Sequence, residues 1–276
     1  MQLARPESVP DTVAALGAGR ALAGGTEVVP LLRDGILRAE TLVDVRGAVP
    51  RGVDGRTIGA GTTLAELERD ETVPAALREA CRLAASPQLR NMGTIGGNLL
   101  QATRCWYWRL KFPCRLHGGD VCHAKQGQHR EHAFLANDFC SSAHPSDPAA
   151  ALLALDARIR TDRRELGIAE LYRLPTDDDR RTTTLEADEL ILELELPDVA
   201  ASAYLKAMDR ARWAFALVGV AAARVGGETR VALAGAAPVP WLLGEGDLDE
   251  ATPLPGTAFK VEIARTLVER ALRSLA

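Results

Sequence analysis

The turn Ala23-Gly-Gly-Thr-Glu27 and the turn Thr94-Ile-Gly-Gly-Asn98 follow one pattern. Adjacent glycines tolerate positive φ and carry no Cβ, so backbone N–H groups can converge there on an oxyanion. Thr26, Thr94 and Asn98 add side-chain donors beside those amides. Each turn alone is also explained as an ordinary tight turn, since Gly-Gly is common in loops. The pair favours a dinucleotide site that holds a pyrophosphate between the two turns, although neither has the G-x-G-x-x-G or the G-x-x-x-x-G-K-[ST] pattern.

Short strands and helices alternate around the two turns. Ser8 caps a short helix that Gly17 ends, and Thr63 caps a helix that begins at Leu64. A further helix is expected over about residues 73–85, and residues 40–46 alternate as a strand. This alternation is typical of an α/β domain.

The C-terminal third has a different pattern. Residues 189–197 alternate as a half-buried strand, and residues 215–224 and 229–235 flank Gly226-Gly227 as a hairpin. An amphipathic helix is expected at the end of the chain. Its apolar face would carry Phe259, Ile263, Leu267, Val268, Ala271, Leu272 and Leu275. The sequence therefore predicts an α+β fold with a boundary near residues 197–202.

The composition excludes several classes of protein. Of the 276 residues 47% are hydrophobic and 25% charged, which are ordinary globular values. The formal charge of −4 and the lack of a basic block argue against a nucleic-acid partner. No run of about eighteen apolar residues occurs, so we expect no membrane insertion. The N-terminus lacks the apolar core of a signal peptide, so we expect a cytoplasmic protein, or one exported only together with a partner subunit.

Cysteine and histidine are concentrated in one segment. All five histidines and four of the five cysteines lie between residues 105 and 144. The fifth, Cys81, lies in an apolar helical stretch and is expected to be a small core residue. His123 directly follows Cys122, so it is either a hydrogen-bond donor to that sulfur or a surface residue.

Three kinds of chemistry could explain Cys105, Cys114, Cys122 and Cys140. Disulfides do not fit a chain expected in a reducing cytosol. Thiolates with imidazoles suit zinc, but the spacing C-x8-C-x7-C-x17-C lacks the short paired knuckles of most structural zinc sites. Four thiolates are also the complement that a [4Fe–4S] cluster needs. The residue types alone leave zinc and iron–sulfur open.

Several strings resemble the FAD-binding subunit of the xanthine dehydrogenase and carbon monoxide dehydrogenase family of molybdenum hydroxylases. They are Ala23–Pro30, Ala85–Leu99, His144–Asp147 leading into Ala151–Ala157, and, near the C-terminus, Trp213–Val218, Arg230–Gly235 and Ala237–Trp241. The resemblance implies a two-lobed, PCMH-type FAD-binding α/β domain over residues 1–200. A smaller flavoprotein C-terminal domain of antiparallel sheet plus helices would follow over residues 201–276.

The Cys-rich segment, residues 101–145, is an insertion relative to ordinary members of this family. It is similar to the insertion in the flavin subunits of 4-hydroxybenzoyl-CoA reductase and the periplasmic aldehyde oxidoreductases, which carries an additional [4Fe–4S] cluster. This resemblance implies that Cys105, Cys114, Cys122 and Cys140 are the cluster ligands, and it moves the interpretation from zinc to iron–sulfur.

The resemblance also implies a set of FAD contacts. Around the pyrophosphate and ribityl chain they are Leu22, Ala23, Gly24, Gly25, Thr26, Glu27 and Val28. In the second loop they are Thr94, Gly97, Asn98 and Leu100, with Ser146 and Asp147 near the sugar and phosphates. Leu190 and Ile191 would pack on the isoalloxazine and Lys206 would lie near its polar edge. As alternatives, Leu190 and Ile191 are ordinary strand core and Lys206 is a solvated surface lysine.

By this resemblance the chain is an oxidoreductase flavoprotein that passes electrons between partner iron–sulfur clusters and an external acceptor. The substrate would react on a partner, so no catalytic residue is expected here. A molybdopterin large subunit and a [2Fe–2S] small subunit are the implied partners. The alternatives are a free-standing FAD/[4Fe–4S] oxidoreductase without molybdenum partners and a zinc-stabilised interaction module.

Overall fold

Three sheets organise the molecule, which we describe from a computed structural model of all 276 residues. The first sheet is parallel, with strand order β1-β3-β2. Its part of the chain comprises β1 (Gln2–Ala4), α1 (Val9–Leu16), β2 (Arg20–Leu22), α2 (Val28–Arg33) and β3 (Thr41–Asp44). The expected Ser8 cap is confirmed, since the Ser8 side chain accepts a hydrogen bond from the Asp11 amide. The first glycine turn connects β2 to α2.

The second sheet is antiparallel throughout, with order β4-β5-β8-β6-β7. Its strands are β4 (Val53–Asp54), β5 (Thr57–Gly59), β6 (Arg158–Thr161), β7 (Glu165–Gly167) and β8 (Ile191–Glu195). The helices of this part are α3 (Leu64–Arg69), α4 (Ala75–Leu83), α5 (Pro87–Arg90), α6 (Ile95–Leu99), α7 (Trp106–Arg109), α8 (His123–Gln126), α9 (Asp147–Ala154) and α10 (Ile168–Leu171). The helix expected over residues 73–85 is therefore shorter, because Pro74 stands at its N-cap. The Thr63 cap is confirmed and extended to a capping box with Glu66.

The third sheet has the order β12-β11-β10-β9 and is antiparallel. It is built from β9 (Val199–Ala207), β10 (Val218–Val225), β11 (Glu228–Ala234) and β12 (Trp241–Leu242). Val225 pairs with Glu228 across Gly226 and Gly227, which both have positive φ, so the predicted hairpin is confirmed. Helix α11 (Phe259–Arg273) packs on β10.

The predicted apolar face of α11 is partly wrong. Ala271 and Leu275 are buried, but Phe259 and Leu272 are 36% and 39% exposed. Lys260 and Ala264 are fully buried in their place. A lysine can occupy a core position when its ammonium is hydrogen-bonded, and Lys260 Nζ donates to two backbone carbonyls.

Helix α9 lies at the centre of the molecule. All eight of its residues are buried, as expected of a helix that is apolar on every side. It packs on α4 and α6 and on strands β10 and β11. It begins at Asp147 because the Ser146 side chain accepts a hydrogen bond from the Ala149 amide. The fold therefore carries Asp147 into the interior at the start of a buried helix.

The Cys-rich insertion contains only short helices, and it docks on the C-terminal sheet. The amides of Phe134 and Leu135 both donate to the carbonyl of Ala236, at 2.9 and 3.0 Å. Phe134 is fully buried in the same apolar cluster as β10 and α11. No helix in the chain combines the length and apolar character needed to cross a bilayer.

Candidate functional site

The first glycine turn packs directly against the residues that lead into the second turn. A Cβ on Gly24 would stand 1.7 Å from the carbonyl oxygen of Met92, which precedes the second turn. Gly25 has φ +73°, a conformation that favours glycine. Thr94 closes the second turn by accepting a hydrogen bond from the Gly97 amide. Without a side chain at Gly24, the two turns therefore form one continuous wall.

The first turn presents unpaired backbone donors. The amides of Gly24, Gly25, Thr26 and Glu27 donate to no acceptor within the protein. They precede α2, where the helix dipole also favours negative charge. Such a row of free N–H groups is suited to the oxygens of a diphosphate.

A cleft of about 440 Å³ runs along this wall. The sequence-predicted FAD contacts that line it are Ala23, Gly24, Gly25, Thr26, Glu27, Val28, Thr94, Gly97, Asn98, Leu100, Asp147, Leu190, Ile191 and Lys206. Leu22 and Ser146 do not line it. Leu22 belongs to β2, and the Ser146 hydroxyl donates to Asn98 Oδ1 at 2.5 Å, so Ser146 acts on the cleft only through Asn98.

Residues that were not predicted from the sequence also line the cleft. Arg104, Trp213 and Phe215 line it, as does Gly93, the residue before the second turn. Trp213 and Phe215 are more than half exposed, which is unusual for large apolar side chains. Both lie in Trp213–Val218, one of the strings that resemble the family, but that resemblance does not indicate that these two side chains line the cleft.

A buried ion pair lies behind the cleft. Lys206 Nζ and Asp147 Oδ2 are 2.7 Å apart, and their side chains are 1% and 4% exposed. The Tyr204 hydroxyl donates to Asp147 Oδ1 at 2.5 Å, and Lys206 also donates to the carbonyl of Leu83. Burial raises the pKa of Asp147, against the attraction of the Lys206 ammonium. Lys206 is therefore an interior residue rather than a solvated surface lysine.

Glu27 links the first turn to the start of the Cys-rich insertion. Its carboxylate oxygens lie 2.7 Å from the guanidinium of Arg104 and 2.6 Å from that of Arg109. It also accepts a hydrogen bond from the Ala102 amide at 3.1 Å. Both arginines are well shielded, so water screens these pairs less than it would at the surface.

The four cysteines of the insertion come together. Cys105, Cys114, Cys122 and Cys140 line one small void, and all are free thiols. A hydrogen bond with the Cys140 thiol lowers the pKa of Cys122, and burial raises the pKa of Cys105 to about 11. No three His, Cys, Asp or Glu side chains of the molecule converge as ligands of a single metal ion do. The fifth cysteine, Cys81, is fully buried in the main core, as predicted.

The histidine that meets a cysteine is His132, not His123. His132 Nε2 lies 3.2 Å from Cys105 Sγ. His123 instead stacks on Tyr107, with ring centroids 6.3 Å apart. His123 follows Cys122 in sequence, but it is His132 that reaches a sulfur, because the chain between Cys122 and Cys140 folds back on Cys105.

The sequence matches a known family over residues 1–199, described as the FAD binding domain in molybdopterin dehydrogenase. A curated relative, the aldehyde oxidoreductase FAD-binding subunit PaoB of Escherichia coli (strain K12), is 38% identical over 248 residues, covering 82% of this chain and 77% of that protein. The carbon monoxide dehydrogenase medium chain of Afipia carboxidovorans is 40% identical over 107 residues, which is 34% of this chain and 37% of that protein.

The fold agrees with these matches. A solved carbon monoxide dehydrogenase chain from Hydrogenophaga pseudoflava superimposes with a TM-score of 0.71, covering 100% of this chain and 96% of that chain at 24% identity. At that identity the likeness shows the fold alone, an FAD-binding fold of the predicted α+β kind. The chain belongs to the FAD-binding subunits of the molybdenum hydroxylase family and is an oxidoreductase flavoprotein.

Proposed function

We propose that this chain is the electron-transfer subunit of a heteromeric molybdenum hydroxylase, with FAD in the cleft and a [4Fe–4S] cluster between Cys105, Cys114, Cys122 and Cys140. One observation carries the proposal. Arg104 lines the cleft and the next residue, Cys105, lines the four-cysteine void. In this proposal residues 1–200 form the FAD-binding domain with its insertion 101–145, and residues 201–276 the flavoprotein C-terminal domain.

The cleft residues fit a flavin dinucleotide. The free amides of Gly24, Gly25 and Thr26 would bind the diphosphate oxygens. Leu190 and Ile191 are buried apolar residues that would keep water from the ring system. The Lys206 ammonium has three N–H donors, of which Asp147 and Leu83 take two, so one stays available to the flavin.

The donor set of the void fits an iron–sulfur cluster. All four cysteines line this void, and no carboxylate lines it. The Ser142 amide lies 3.5 Å from Cys140 Sγ, so it would donate to that sulfur as a thiolate. Bound FAD supplies one- and two-electron chemistry and a cluster supplies one-electron chemistry. The contribution of the chain is to fix the two sites relative to each other, which Glu27 does by pairing with Arg104 and Arg109.

Metal and sulfide analysis of protein purified without oxygen tests the cluster. We expect iron and acid-labile sulfide in the wild type, and loss of both with retained FAD in Cys105→Ser. Cys81→Ser is the matched control, since Cys81 lies in the main core away from the void. Zinc without iron in the wild type would contradict the cluster and support the zinc-stabilised alternative.

The partners are a further part of the proposal. The PaoB relative is named as the FAD-binding subunit of an aldehyde oxidoreductase, and we infer the same kind of assembly here. A molybdopterin large subunit and a [2Fe–2S] small subunit would complete it. Purification from the native source should recover a complex that contains molybdenum. Recovery of the chain alone, active on a small molecule, would contradict this part.

One observation favours the free-standing oxidoreductase as a second candidate. A cavity of about 370 Å³ adjoins the cleft, and Arg104, Trp213 and Phe215 line both. Its walls include Trp106 and Leu217. A small-molecule substrate or acceptor would fit there beside the flavin. Substrate turnover by the isolated, FAD-loaded chain is the result that would favour this candidate.

A further inference from the structure

His132 is held rigidly against one of the four cysteines. The residue is 3% exposed, and its Nε2 lies 3.2 Å from Cys105 Sγ. Its ring meets Trp106 edge to face at 5.3 Å. Its carbonyl accepts a hydrogen bond from Lys260 Nζ and its amide donates to the carbonyl of His129, so the backbone is fixed as well.

The direction of this hydrogen bond follows from the chemistry of the two groups. A cysteine bound to iron is a thiolate and has no proton to give, so the imidazole must donate. A neutral imidazole carries one N–H, which is then on Nε2. Nδ1 is left as the acceptor, and it has no partner within the protein. An unpaired buried acceptor is tolerated more readily than an unpaired buried N–H.

Cys105 differs from the other cysteines in this contact. Cys140 is within reach of the Ser142 hydroxyl and amide. No imidazole contacts any of the other three sulfurs within hydrogen-bond distance. Cys105 is also the cysteine whose neighbour in sequence, Arg104, lines the flavin cleft.

We propose that His132 is a positioning residue that donates Nε2–H to the Cys105 thiolate and thereby raises the reduction potential of the cluster. The inference rests on the proposed function, since it needs the cluster. Reduction places more negative charge on the ligand sulfurs, and a donor stabilises the more negative state. Partners that hydrogen-bond to metal ligands tune metal sites in this way.

A redox titration of the intact protein, followed by the electron paramagnetic resonance signal of the reduced cluster, tests this role. His132→Leu should keep its iron and sulfide but titrate at a more negative potential. His132→Gln, whose amide nitrogen can reach the same place, should return the potential towards that of the wild type. His117→Leu is the matched control and should not shift it, because His117 is exposed, bonds to the Trp108 carbonyl and does not line the void.

A second readout separates hydrogen bonding from packing. An exchangeable proton coupled to the cluster, detected by electron–nuclear double resonance in H₂O and in D₂O, should be present in the wild type and in His132→Gln and missing in His132→Leu. If His132→Leu loses its iron, His132→Asn replaces it, because the shorter amide cannot reach the sulfur. Its potential should then lie below that of His132→Gln.

Equal potentials in iron-replete wild type, His132→Leu and His132→Gln would overturn the role of His132 and leave the proposed function standing. If His132→Asn is the comparison, a potential equal to that of His132→Gln overturns it. A wild-type protein without iron would instead overturn the proposed function itself.

Discussion

Gly24 lies where the first glycine turn touches the residues that lead into the second, and its missing side chain decides whether they can. The Cβ of any other residue would overlap the Met92 carbonyl at 1.7 Å. That oxygen belongs to the backbone, so it cannot move aside as the end of a flexible side chain can. The wall of the cleft therefore requires glycine at position 24.

Gly24→Ala should separate the two turns. We expect a loss of about 1–3 kcal/mol in the free energy of unfolding, the usual cost of forcing an extra carbon into a packed site. We also expect a lower FAD content per chain. Urea unfolding and flavin absorbance after purification measure the two effects. Gly17→Ala is the matched control, because its Cβ would meet Ala14 at an ordinary 3.4 Å. Equal FAD content in both variants would contradict the close approach.

Some residues were predictable from the sequence and others were not. The glycine turns and the caps at Ser8 and Thr63 rest on contacts within a few residues, so local sequence determines them. The pairing of Lys206 with Asp147 joins positions that are 59 residues apart in sequence. The contact of His132 with Cys105 spans 27 residues. The neighbouring sequence does not specify these two contacts, because each depends on the path of the chain between its two residues.

Strands β9 and β10 pack closely because a glycine of β10 leaves room for a tyrosine side chain of β9. Gly219 of β10 pairs with Lys206 of β9, and a Cβ on Gly219 would stand 2.1 Å from the Tyr204 hydroxyl. The glycine thus makes room for the tyrosine, whose hydroxyl donates to Asp147. A glycine inside a strand commonly marks such a close approach.

Gly219→Ala should displace the Tyr204 hydroxyl from Asp147. The buried carboxylate then loses a hydrogen bond, and we expect a destabilisation of about 1–3 kcal/mol. The same substitution on a Tyr204→Phe background should cost less, because the nearest clashing atom is gone. Chemical denaturation of the four proteins measures this coupling. Additive effects of the two substitutions would show that Gly219 does not act through Tyr204.

Lys260 of helix α11 connects this helix to the Cys-rich insertion by hydrogen bonds. Its buried ammonium donates to the carbonyls of His132 and Gly235, both at 2.8 Å. Burial lowers the pKa of Lys260 from 10.5 to about 7, although the carboxylates of Glu131 and Asp209 oppose the shift. In the unfolded chain the same lysine keeps its ordinary pKa.

Between about pH 7 and pH 10 the unfolded state therefore binds more protons at this residue than the folded state. Stability contributed by this group should rise with pH across that window, because Lys260 must release a proton on folding and that release costs less free energy at higher pH. Lys260→Met should lose this rise. Thermal denaturation of both proteins at several pH values measures the difference in slope. Parallel pH profiles for the two proteins would contradict a lysine with a lowered pKa.

The arrangement of the whole molecule was predictable only in part. The hairpin and the α+β class were read correctly from turn residues and strand periodicity. The antiparallel order of the second sheet could not be predicted, because β8 pairs with strands from distant parts of the chain. The exposed side chains of Phe259 and Leu272 were missed because periodicity cannot reveal that Lys260 is the residue in the core.

For the molecule as a whole, the central claim is that a single chain holds FAD and an iron–sulfur cluster in adjacent sites. A reductive titration under anaerobic conditions, counting the electrons taken up per chain, tests it most directly. The wild type should accept about three electron equivalents, two on the flavin and one on the cluster, and Cys105→Ser about two. Equal uptake by the two proteins, or a wild type without flavin, would contradict the claim.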